Sequence, residues 1–192
     1  FIIFLLLTQF AYCESINTNK NNKNYYSEKF NLIEKQENYY SCGVSIIQFL
    51  IKTLKNIYVS QSDLMSFIIK DSMSYQKEGG ISLLDINKFL ASQGVKSFGI
   101  YINNKDVNEI SKIYNCCTIL HYNEQPNLYS REDFHTGHFV LLIYQKEDNF
   151  IILDPNLGTL LVNSRYLNKY FSGYCLVIPE ICFTENDLDI KK

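Results

Sequence analysis

Four residues in two distant segments supply the side chains that thiol-based acyl transfer needs. Cys42 supplies a thiol, His138 an imidazole and Asp154 a carboxylate that can orient the imidazole. Gln36, six residues before Cys42, adds a side-chain amide. The thiol needs a base, and the tetrahedral intermediate needs hydrogen-bond donors. We therefore predict a cysteine hydrolase whose catalytic residues are Cys42, His138, Asp154 and Gln36, with no metal or cofactor.

The residues after Cys42 predict an amphipathic helix with the thiol in its first turn. The apolar positions that follow helical spacing are Ile47, Leu50, Ile51 and Leu54. A helix N-terminus and a neighbouring imidazolium both favour the thiolate form of a cysteine. The lack of a side chain at Gly43 is expected to let the backbone approach a substrate closely.

Three further helices are predicted between residues 60 and 114. One begins near Ser60 or Ser62 and runs to residue 69. Another begins after Ser82, which with Asp85 resembles a capping box, and Gly94 is a natural stop. A short fourth helix is expected over residues 105–114.

The second half of the chain predicts strands. Apolar runs are expected to form strands at 116–122, 138–144, 150–153, 160–162 and 174–178, with a helix at 164–171. Helices followed by antiparallel strands indicate an α+β fold. A hairpin turn centred near Lys146 would pair His138 directly with Asp154, so that the carboxylate reaches the imidazole from the adjacent strand.

Composition and the chain ends set the domain organisation. A net charge of -2 with 18 Lys+Arg gives no basic stripe, so nucleic-acid binding is excluded. We predict a signal peptide remnant at 1–13, an Asn/Lys-rich linker at 14–30, the folded domain at 31–180 and a charged tail at 181–192. The apolar run at 1–7 is too short to span a bilayer, and no span is expected in the mature chain.

The same segment predicts export to the periplasm or the extracellular space. Ala11 and Cys13 are small residues suited to a cleavage site, which would make Glu14 the mature N-terminus. The chain lacks an initiator Met and is expected to begin inside something longer. Lipid attachment at Cys13 is a less favoured alternative because Tyr12 is bulky, and a buried N-terminal strand is favoured less again.

The other cysteines and histidines leave alternatives open. Cys116, Cys117, Cys175 and Cys182 are favoured as buried thiols, although a Cys175–Cys182 disulfide is an alternative. Their spacing does not match a zinc site. A three-histidine metal site at residues 121, 135 and 138 is disfavoured because the region is predicted as loop and strand. We expect His121 to be a hydrogen-bonded packing residue.

These motifs together resemble the C39 cysteine peptidases, the double-glycine peptidases found as N-terminal domains of bacteriocin-exporting ABC transporters. The likeness covers about residues 36–156. It consists of Gln36 with Cys42-Gly43, the segment 79–85 followed by Gly94, the strand ending Ile119-Leu120-His121, His138-Phe139-Val140-Leu141-Leu142, and Asp154-Pro155. Ser41 and Ser45 depart from it, standing where the family often has Asp and Ala.

The resemblance implies a papain-like fold and a division of roles among the four residues. Cys42 would be the nucleophile, His138 the general base and acid, Asp154 its orienter, and Gln36 a donor in the oxyanion hole. It also implies cleavage after Gly-Gly in a leader-bearing or secreted polypeptide, with an export machine as a partner. A substrate-binding module that does not cleave, and an acyltransferase or amidase on the same plan, are the alternatives.

Overall fold

A single antiparallel sheet of six strands organises the computed structural model. The model describes residues 32–38, 40–70, 72, 80–113, 116–123 and 137–184. The strands are β1 (Phe98–Tyr101), β2 (Cys117–Tyr122), β3 (His138–Lys146), β4 (Asn149–Asp154), β5 (Gly158–Asn163) and β6 (Phe171–Ile178). Their order across the sheet is β1-β6-β2-β3-β4-β5, and every neighbouring pair is antiparallel.

Helices cover both faces of this sheet. The helices are α1 (Cys42–Lys55), α2 (Gln61–Ile69), α3 (Leu83–Ser92), α4 (Asn108–Ile113) and α5 (Ser164–Tyr170). Helices α1 to α3 enclose one hydrophobic core with strand residues such as Ile119 and Leu141. Helices α4 and α5 enclose a second core with the alternate strand residues, such as Leu120 and Val140. The predicted α+β fold, with N-terminal helices packed on an antiparallel sheet, is confirmed.

Helix α1 is the most deeply enclosed element. Every residue from Cys42 to Ile51 is buried, because α1 packs against β3 and against both α2 and α3. The predicted helix is therefore confirmed, but its first ten residues are buried all round instead of on one face. Burial is complete enough that even the polar side chains of Ser45 and Gln48 lie in the interior.

Gly43 has a packing role in addition to the one expected from the sequence. A Cβ built on Gly43 would lie 2.7 Å from Ile81 Cδ1 and 3.1 Å from Ile86 Cδ1. Real Cβ atoms essentially never approach another heavy atom that closely. Gly43 thus lets the start of α1 sit directly against the residues that lead into and begin α3. Its expected role in substrate approach stays a prediction.

The helix boundaries follow their predicted signals. Ser60 caps α2 by accepting a hydrogen bond from the Asp63 N–H. Ser82 and Asp85 form a reciprocal capping box at the start of α3, so an aspartate replaces the usual Glu or Gln at this position. Gly94 follows α3 with φ of +75°, the left-handed conformation that a helix stop requires.

Strand β1 was not predicted from the sequence. It has four residues and is largely exposed, with Phe98 and Tyr101 both on the surface, so it lacks the apolar pattern of the other strands. Among the strands that the structure describes, it pairs only with β6, from Phe98 opposite Val177 to Tyr101 opposite Tyr174. Its partner strand, not its own hydrophobicity, determines that this segment is extended.

The β3–β4 hairpin differs from the predicted register. The turn lies at Glu147–Asp148 instead of near Lys146, and the strands pair Lys146 with Asn149. A bulge between Leu142 and Tyr144 then shifts the pairing by one residue, so that Leu141 lies opposite Leu153. Continuing that register places Asp154 opposite Val140, not opposite His138 as expected.

The predicted chain ends fall largely outside this structure. The signal peptide remnant at 1–13 and the linker at 14–30 lie outside the described residues, as does the tail beyond residue 184. The proposed boundary of the folded domain at 31–180 stays a prediction. None of the helices in the described part of the chain has the length and apolarity needed to cross a lipid bilayer.

Candidate active site

His138 and Asp154 are in contact at the ends of neighbouring strands. His138 begins β3 and Asp154 ends β4, and the two lie at one edge of the sheet because the strands are antiparallel. The His138 Nε2 atom is 3.0 Å from Asp154 Oδ1, and both side chains are 1% exposed. The contact between these two side chains agrees with the sequence prediction, although their strand register does not.

The turn after β4 holds the carboxylate of Asp154 in place. Its Oδ1 atom accepts hydrogen bonds from the backbone N–H of Asn156, at 2.8 Å, and of Leu157, at 3.1 Å. Such a turn is typical of an Asp side chain that bonds to its own backbone two residues on. Because this oxygen is fixed by two backbone donors, it presents a fixed acceptor to the His138 ring.

His138 holds its proton far more tightly than an ordinary histidine. Burial alone lowers its pKa, but the negative charge of Asp154 and hydrogen bonds with Asp154 and Cys42 outweigh burial and raise the pKa to about 10. The ring is therefore an imidazolium at neutral pH, and its Nε2–H donates to Asp154. The hydrogen bond to Cys42 joins the thiol, the imidazole and the carboxylate into one chain, which leaves Nδ1 to face the sulfur.

Gln36 lies in the turn that leads into α1. Its Nε2 donates to the Asn38 carbonyl at 2.8 Å, and its backbone N–H donates to the Pro155 carbonyl at 2.9 Å. The side chain is buried, and Oε1 has no hydrogen-bond partner among the described residues. One of the two Nε2 hydrogens is thus used by Asn38, and the role of Gln36 as an oxyanion donor stays a prediction.

Ser41 occupies the N-cap position of α1 but does not cap the helix. Its hydroxyl donates to the Asn38 carbonyl and accepts from the Asn38 N–H, both at 3.0 Å, and it makes no capping bond. The first N–H groups of a helix have no intrahelical acceptor. Since Ser41 leaves them without a side-chain cap, the positive end of α1 stays open at Cys42.

His121 and Tyr122 complete the surroundings of His138. His121 Nδ1 lies 2.8 Å from Ser172 Oγ, which agrees with the packing role expected for it. Burial, reinforced by the charge of His138, lowers the pKa of His121, so this ring is neutral. Tyr122 pairs with His138 across β2 and β3, and its buried hydroxyl has no hydrogen-bond partner among the described residues.

The remaining cysteines are thiols in this structure. Cys116, Cys117, Cys175 and Cys182 are all unpaired, as is Cys42, so the structure contains no Cys175–Cys182 disulfide. Burial raises the pKa of Cys175 to about 12, which keeps it protonated. Within the described ranges no cluster of three His, Cys, Asp or Glu side chains could hold a metal ion, and His135 lies outside those ranges.

The fold and the site together define a papain-like α+β cysteine peptidase. The chain belongs to the Peptidase C39 family, whose model matches residues 30–180. Comparison with curated proteins produced no match. Family membership agrees with the resemblance seen in the sequence and makes the chain a cysteine peptidase.

Solved structures of other peptidase domains share this fold. A double glycine motif protease from an AMS/PCAT transporter, solved with its leader peptide, is 20% identical with a TM-score of 0.57, covering 76% of this chain and 88% of its own. The peptidase domain of Streptococcus ComA, a bifunctional ABC transporter, is 14% identical with a TM-score of 0.56, covering 77% and 96%. A C39-like peptidase from Bacillus anthracis is 13% identical with a TM-score of 0.54, covering 77% and 94%.

Sequence reasoning did not identify the residues that hold the segment around Gln36. Ser41 bonds Asn38, Ser45 Oγ donates to the Glu34 carbonyl at 2.5 Å, and Gln61 bonds both Lys35 and Glu37. Ser41 and Ser45 were noticed only as departures from a family pattern. Their hydroxyl groups at buried helix positions were the available signal, because a buried hydroxyl requires a hydrogen-bond partner.

Proposed function

We propose that this chain is a cysteine endopeptidase that cleaves a peptide bond after small residues, of the Gly-Gly type, in a secreted or leader-bearing polypeptide. The observation that carries this proposal is the continuous chain from Cys42 through His138 to Asp154, at the open N-terminus of α1. A cysteine sulfur that accepts a hydrogen bond from an imidazolium is suited to nucleophilic attack on a carbonyl, because a neighbouring imidazolium favours the thiolate form.

In the proposed mechanism, the proton that His138 carries is the one that the leaving group needs. The Cys42 thiolate attacks the scissile carbonyl, and Gln36 Nε2 with the Cys42 backbone N–H donates to the oxyanion. His138 then protonates the leaving amine as the C–N bond breaks, giving a thioester on Cys42. His138 next takes a proton from water, the hydroxide attacks the thioester, and the carboxylic acid product leaves, which restores the Cys42 thiolate and the protonated His138.

The preference for small residues and the kind of substrate are supported by family and structural relatives. The relative solved with a leader peptide is a double glycine motif protease, and the Streptococcus relative is part of an ABC transporter. By analogy we propose that the partner of this chain is a peptide or protein substrate delivered by a secretion or export machine. Fold likeness alone does not assign a substrate, so the proposal requires a direct test.

The test is cleavage of a matched set of peptides by the full chain under reducing conditions. Each peptide carries Gly-Gly, Ala-Ala or Leu-Leu at one central position and is otherwise identical. Wild type is compared with Cys42→Ala, His138→Ala and Gln36→Ala, and products are identified by mass. We expect cleavage after Gly-Gly, weaker cleavage after Ala-Ala, and none with Cys42→Ala.

The outcomes separate the proposed activity from its alternatives. Binding of the Gly-Gly peptide without cleavage, unchanged in Cys42→Ala, would identify a capture module instead of a peptidase. Transfer of the acyl group to an added amine, with little hydrolysis, would identify an acyltransferase. Equal cleavage of all three peptides would retain a peptidase but exclude the Gly-Gly preference.

We further propose that the chain is exported and that its N-terminal segment is removed before Glu14. The apolar run at 1–7 and the small residues Ala11 and Cys13 support this proposal. The test is expression of the full chain in a secreting bacterium, followed by fractionation and mass measurement of its N-terminus. An exported chain beginning at Glu14 would support it. Lipid on Cys13, lost in Cys13→Ser, would identify an anchor. A chain that stays uncleaved in the cytosol even when a Met and basic residues are added before Phe1 would exclude export.

A further inference from the structure

The side-chain amide of Gln61 bridges the backbone groups on both sides of Gln36. Gln61 is the first residue of α2 and is 3% exposed. Its Nε2 donates to the Lys35 carbonyl at 2.9 Å, and its Oε1 accepts from the Glu37 N–H at 3.1 Å. A glutamine amide that accepts from one residue and donates to another reproduces the pairing that a peptide group of an adjacent strand would give.

We propose that Gln61 is a positioning residue for the oxyanion hole, acting through Gln36. This inference depends on the role proposed above for Gln36. Residues 32–38 form no helix or strand, so no ladder of backbone hydrogen bonds fixes the position of Gln36. Gln61 supplies two such bonds directly around it, and these two bonds hold the residue from which the oxyanion donor extends.

A second contact holds the same segment from the side of Asp154. The Gln36 N–H donates to the carbonyl of Pro155, the residue that follows Asp154. Gln36 is therefore fixed between α2, through Gln61, and the turn that orients the His138 partner. Breaking the Gln61 bonds removes both contacts to the residues that directly flank Gln36, although Ser45 still bonds Glu34 and Ser41 still bonds Asn38. The side-chain amide of Gln36 can then move away from the carbonyl oxygen of a bound substrate.

Gln61 itself is held in a fixed orientation by its neighbours. Its Nε2 also lies 3.5 Å from Gln48 Oε1, and Gln48 Nε2 donates to the Val59 carbonyl at 2.9 Å. These contacts assign Nε2 and Oε1 of Gln61 without ambiguity, because only Oε1 can accept the Glu37 N–H. Catalytic groups need such supporting contacts to stay within a fraction of an ångström of the productive geometry.

The effect is specific to the rate of acyl transfer, not to substrate binding. An oxyanion donor acts on charge that develops in the transition state, so its displacement lowers the maximal rate and leaves the Michaelis constant unchanged. Removing a donor of this kind costs about 10²–10³ in rate. Gln61→Leu displaces the donor without deleting it, so we expect a smaller loss, about 10-fold.

The experiment measures acylation of the full chain by p-nitrophenyl acetate, which requires no knowledge of the natural peptide. The Cys42 thiolate attacks the ester carbonyl, p-nitrophenolate leaves and is detected, and the acetyl thioester is then hydrolysed by water. Four proteins are compared as a double-mutant cycle: wild type, Gln61→Leu, Gln36→Ala and the double variant. Gln61→Glu is added because it keeps an acceptor for the Glu37 N–H and loses the donor to Lys35.

Thr118→Val is the matched control for loss of a buried hydrogen bond. Thr118 is fully buried on β2, and its hydroxyl donates to the Cys116 carbonyl at 3.2 Å, in contact with neither Gln36 nor Gln61. We expect Thr118→Val to lower stability while the maximal acylation rate stays at the wild-type value. Urea unfolding of every variant confirms that each is folded under the assay conditions.

The inference is supported if Gln61→Leu lowers the maximal acylation rate without changing the ester concentration that gives half of that rate. Gln61→Glu should have an intermediate rate. The double variant should be no slower than Gln36→Ala. Independent effects would multiply, whereas a residue acting through Gln36 has nothing further to lose once that side chain is gone. Three results would each overturn it. The rate losses of the two single variants could multiply in the double variant, Gln61→Leu could change only the half-saturating ester concentration, or Gln61→Leu could react at the wild-type rate. A wild-type rate in Gln36→Ala would instead remove the proposed role of Gln36, and this inference with it.

Discussion

The side chains of His138 and Asp154 form a hydrogen bond although the two residues are not opposite each other in the sheet. The His138 Nε2 to Asp154 Oδ1 distance is 3.0 Å, while the register of β3 and β4 places Val140 opposite Asp154. Val140 and His138 are two residues apart on one strand and therefore share a face. A diagonal pair of this kind is within reach of long side chains, and the imidazole spans the gap.

Replacing Asp154 by Asn is expected to shift the pH dependence of acylation. The negative charge of Asp154 raises the pKa of His138, which is about 10 in the wild type, so the alkaline limb of the rate profile lies near pH 10. A single opposite charge at this distance accounts for about 1–3 pH units. In Asp154→Asn the limb should move down by that amount, as measured by cleavage of the Gly-Gly peptide between pH 6 and 11, because the leaving amine of a peptide needs the His138 proton. An unmoved limb would show that Asp154 does not control the charge of His138.

Stability should fall as the pH rises through the alkaline range. The folded chain keeps the His138 proton up to about pH 10, whereas the unfolded chain releases it near 6.5. The unfolded state therefore binds fewer protons in this window, so the contribution of His138 is complete below about pH 6.5 and lost as the pH approaches 10. Between these two pH values, the contribution of His138 to the free energy of unfolding falls by up to about 1.4 kcal/mol per pH unit.

The measurement is the free energy of unfolding in urea at pH 6, 8 and 10 under reducing conditions. His138→Gln is the reference, because it removes this proton while the other titrating groups remain. The wild type should lose more stability than His138→Gln between pH 6 and 10. Parallel pH profiles for the two proteins would contradict the raised pKa.

Adding a methyl group at Gly43 is expected to destabilise the fold. The new Cβ would lie 2.7 Å from Ile81 Cδ1, and overpacking of this kind typically costs about 1–3 kcal/mol. Ile81→Val removes the Cδ1 atom, so it should relieve part of the cost in the double variant. Urea unfolding of both single variants and the double variant measures the coupling. Strictly additive losses of stability would show that Ile81 Cδ1 is not the atom that the new methyl group overlaps.

A methyl group at Gly137 is expected to slow acylation by displacing His138. A Cβ at Gly137 would overlap the His121 ring, which is itself hydrogen-bonded to Ser172. The strand start that carries His138 must therefore move, and we expect a loss of about 10-fold or more, within the range that general acid–base groups contribute. Acylation by p-nitrophenyl acetate provides the measurement. His121→Ala should restore much of the rate in the double variant, and failure to do so would assign the loss to another contact.

Cys42, His138 and Asp154 could be proposed from the sequence because each has a local signal, whereas Gln36 was proposed from its spacing of six residues before Cys42. Helical spacing after Cys42 places the thiol at a helix start, and apolar runs identify the strands that end or begin at Asp154 and His138. Caps at Ser60 and Ser82 fix helix starts for the same reason, since they depend on residues only three positions apart. Local order of this kind requires no knowledge of the tertiary fold.

Strand register is different, because it depends on a bulge that the sequence does not mark. Near the turn, β3 and β4 pair so that residue numbers sum to 295, as for Tyr144 with Ile151; beyond the bulge they sum to 294, as for Leu142 with Ile152. Without the bulge Asp154 would lie opposite Leu141, and His138 would point to the other face of the sheet. The bulge therefore decides whether the imidazole and the carboxylate can meet.

The sequence by itself determined the helices and strands other than β1, and which four side chains could do chemistry. Only the tertiary structure decided how they are held: the bulge that turns His138 toward Asp154, the packing of Gly43 against Ile81, and the amide of Gln61 around Gln36. The physical reason is the range of the interactions. Helix caps and hydrophobic periodicities depend on residues only a few positions apart. Gln61 instead bonds residues 24 and 26 positions away, and no local sequence pattern predicts such a contact.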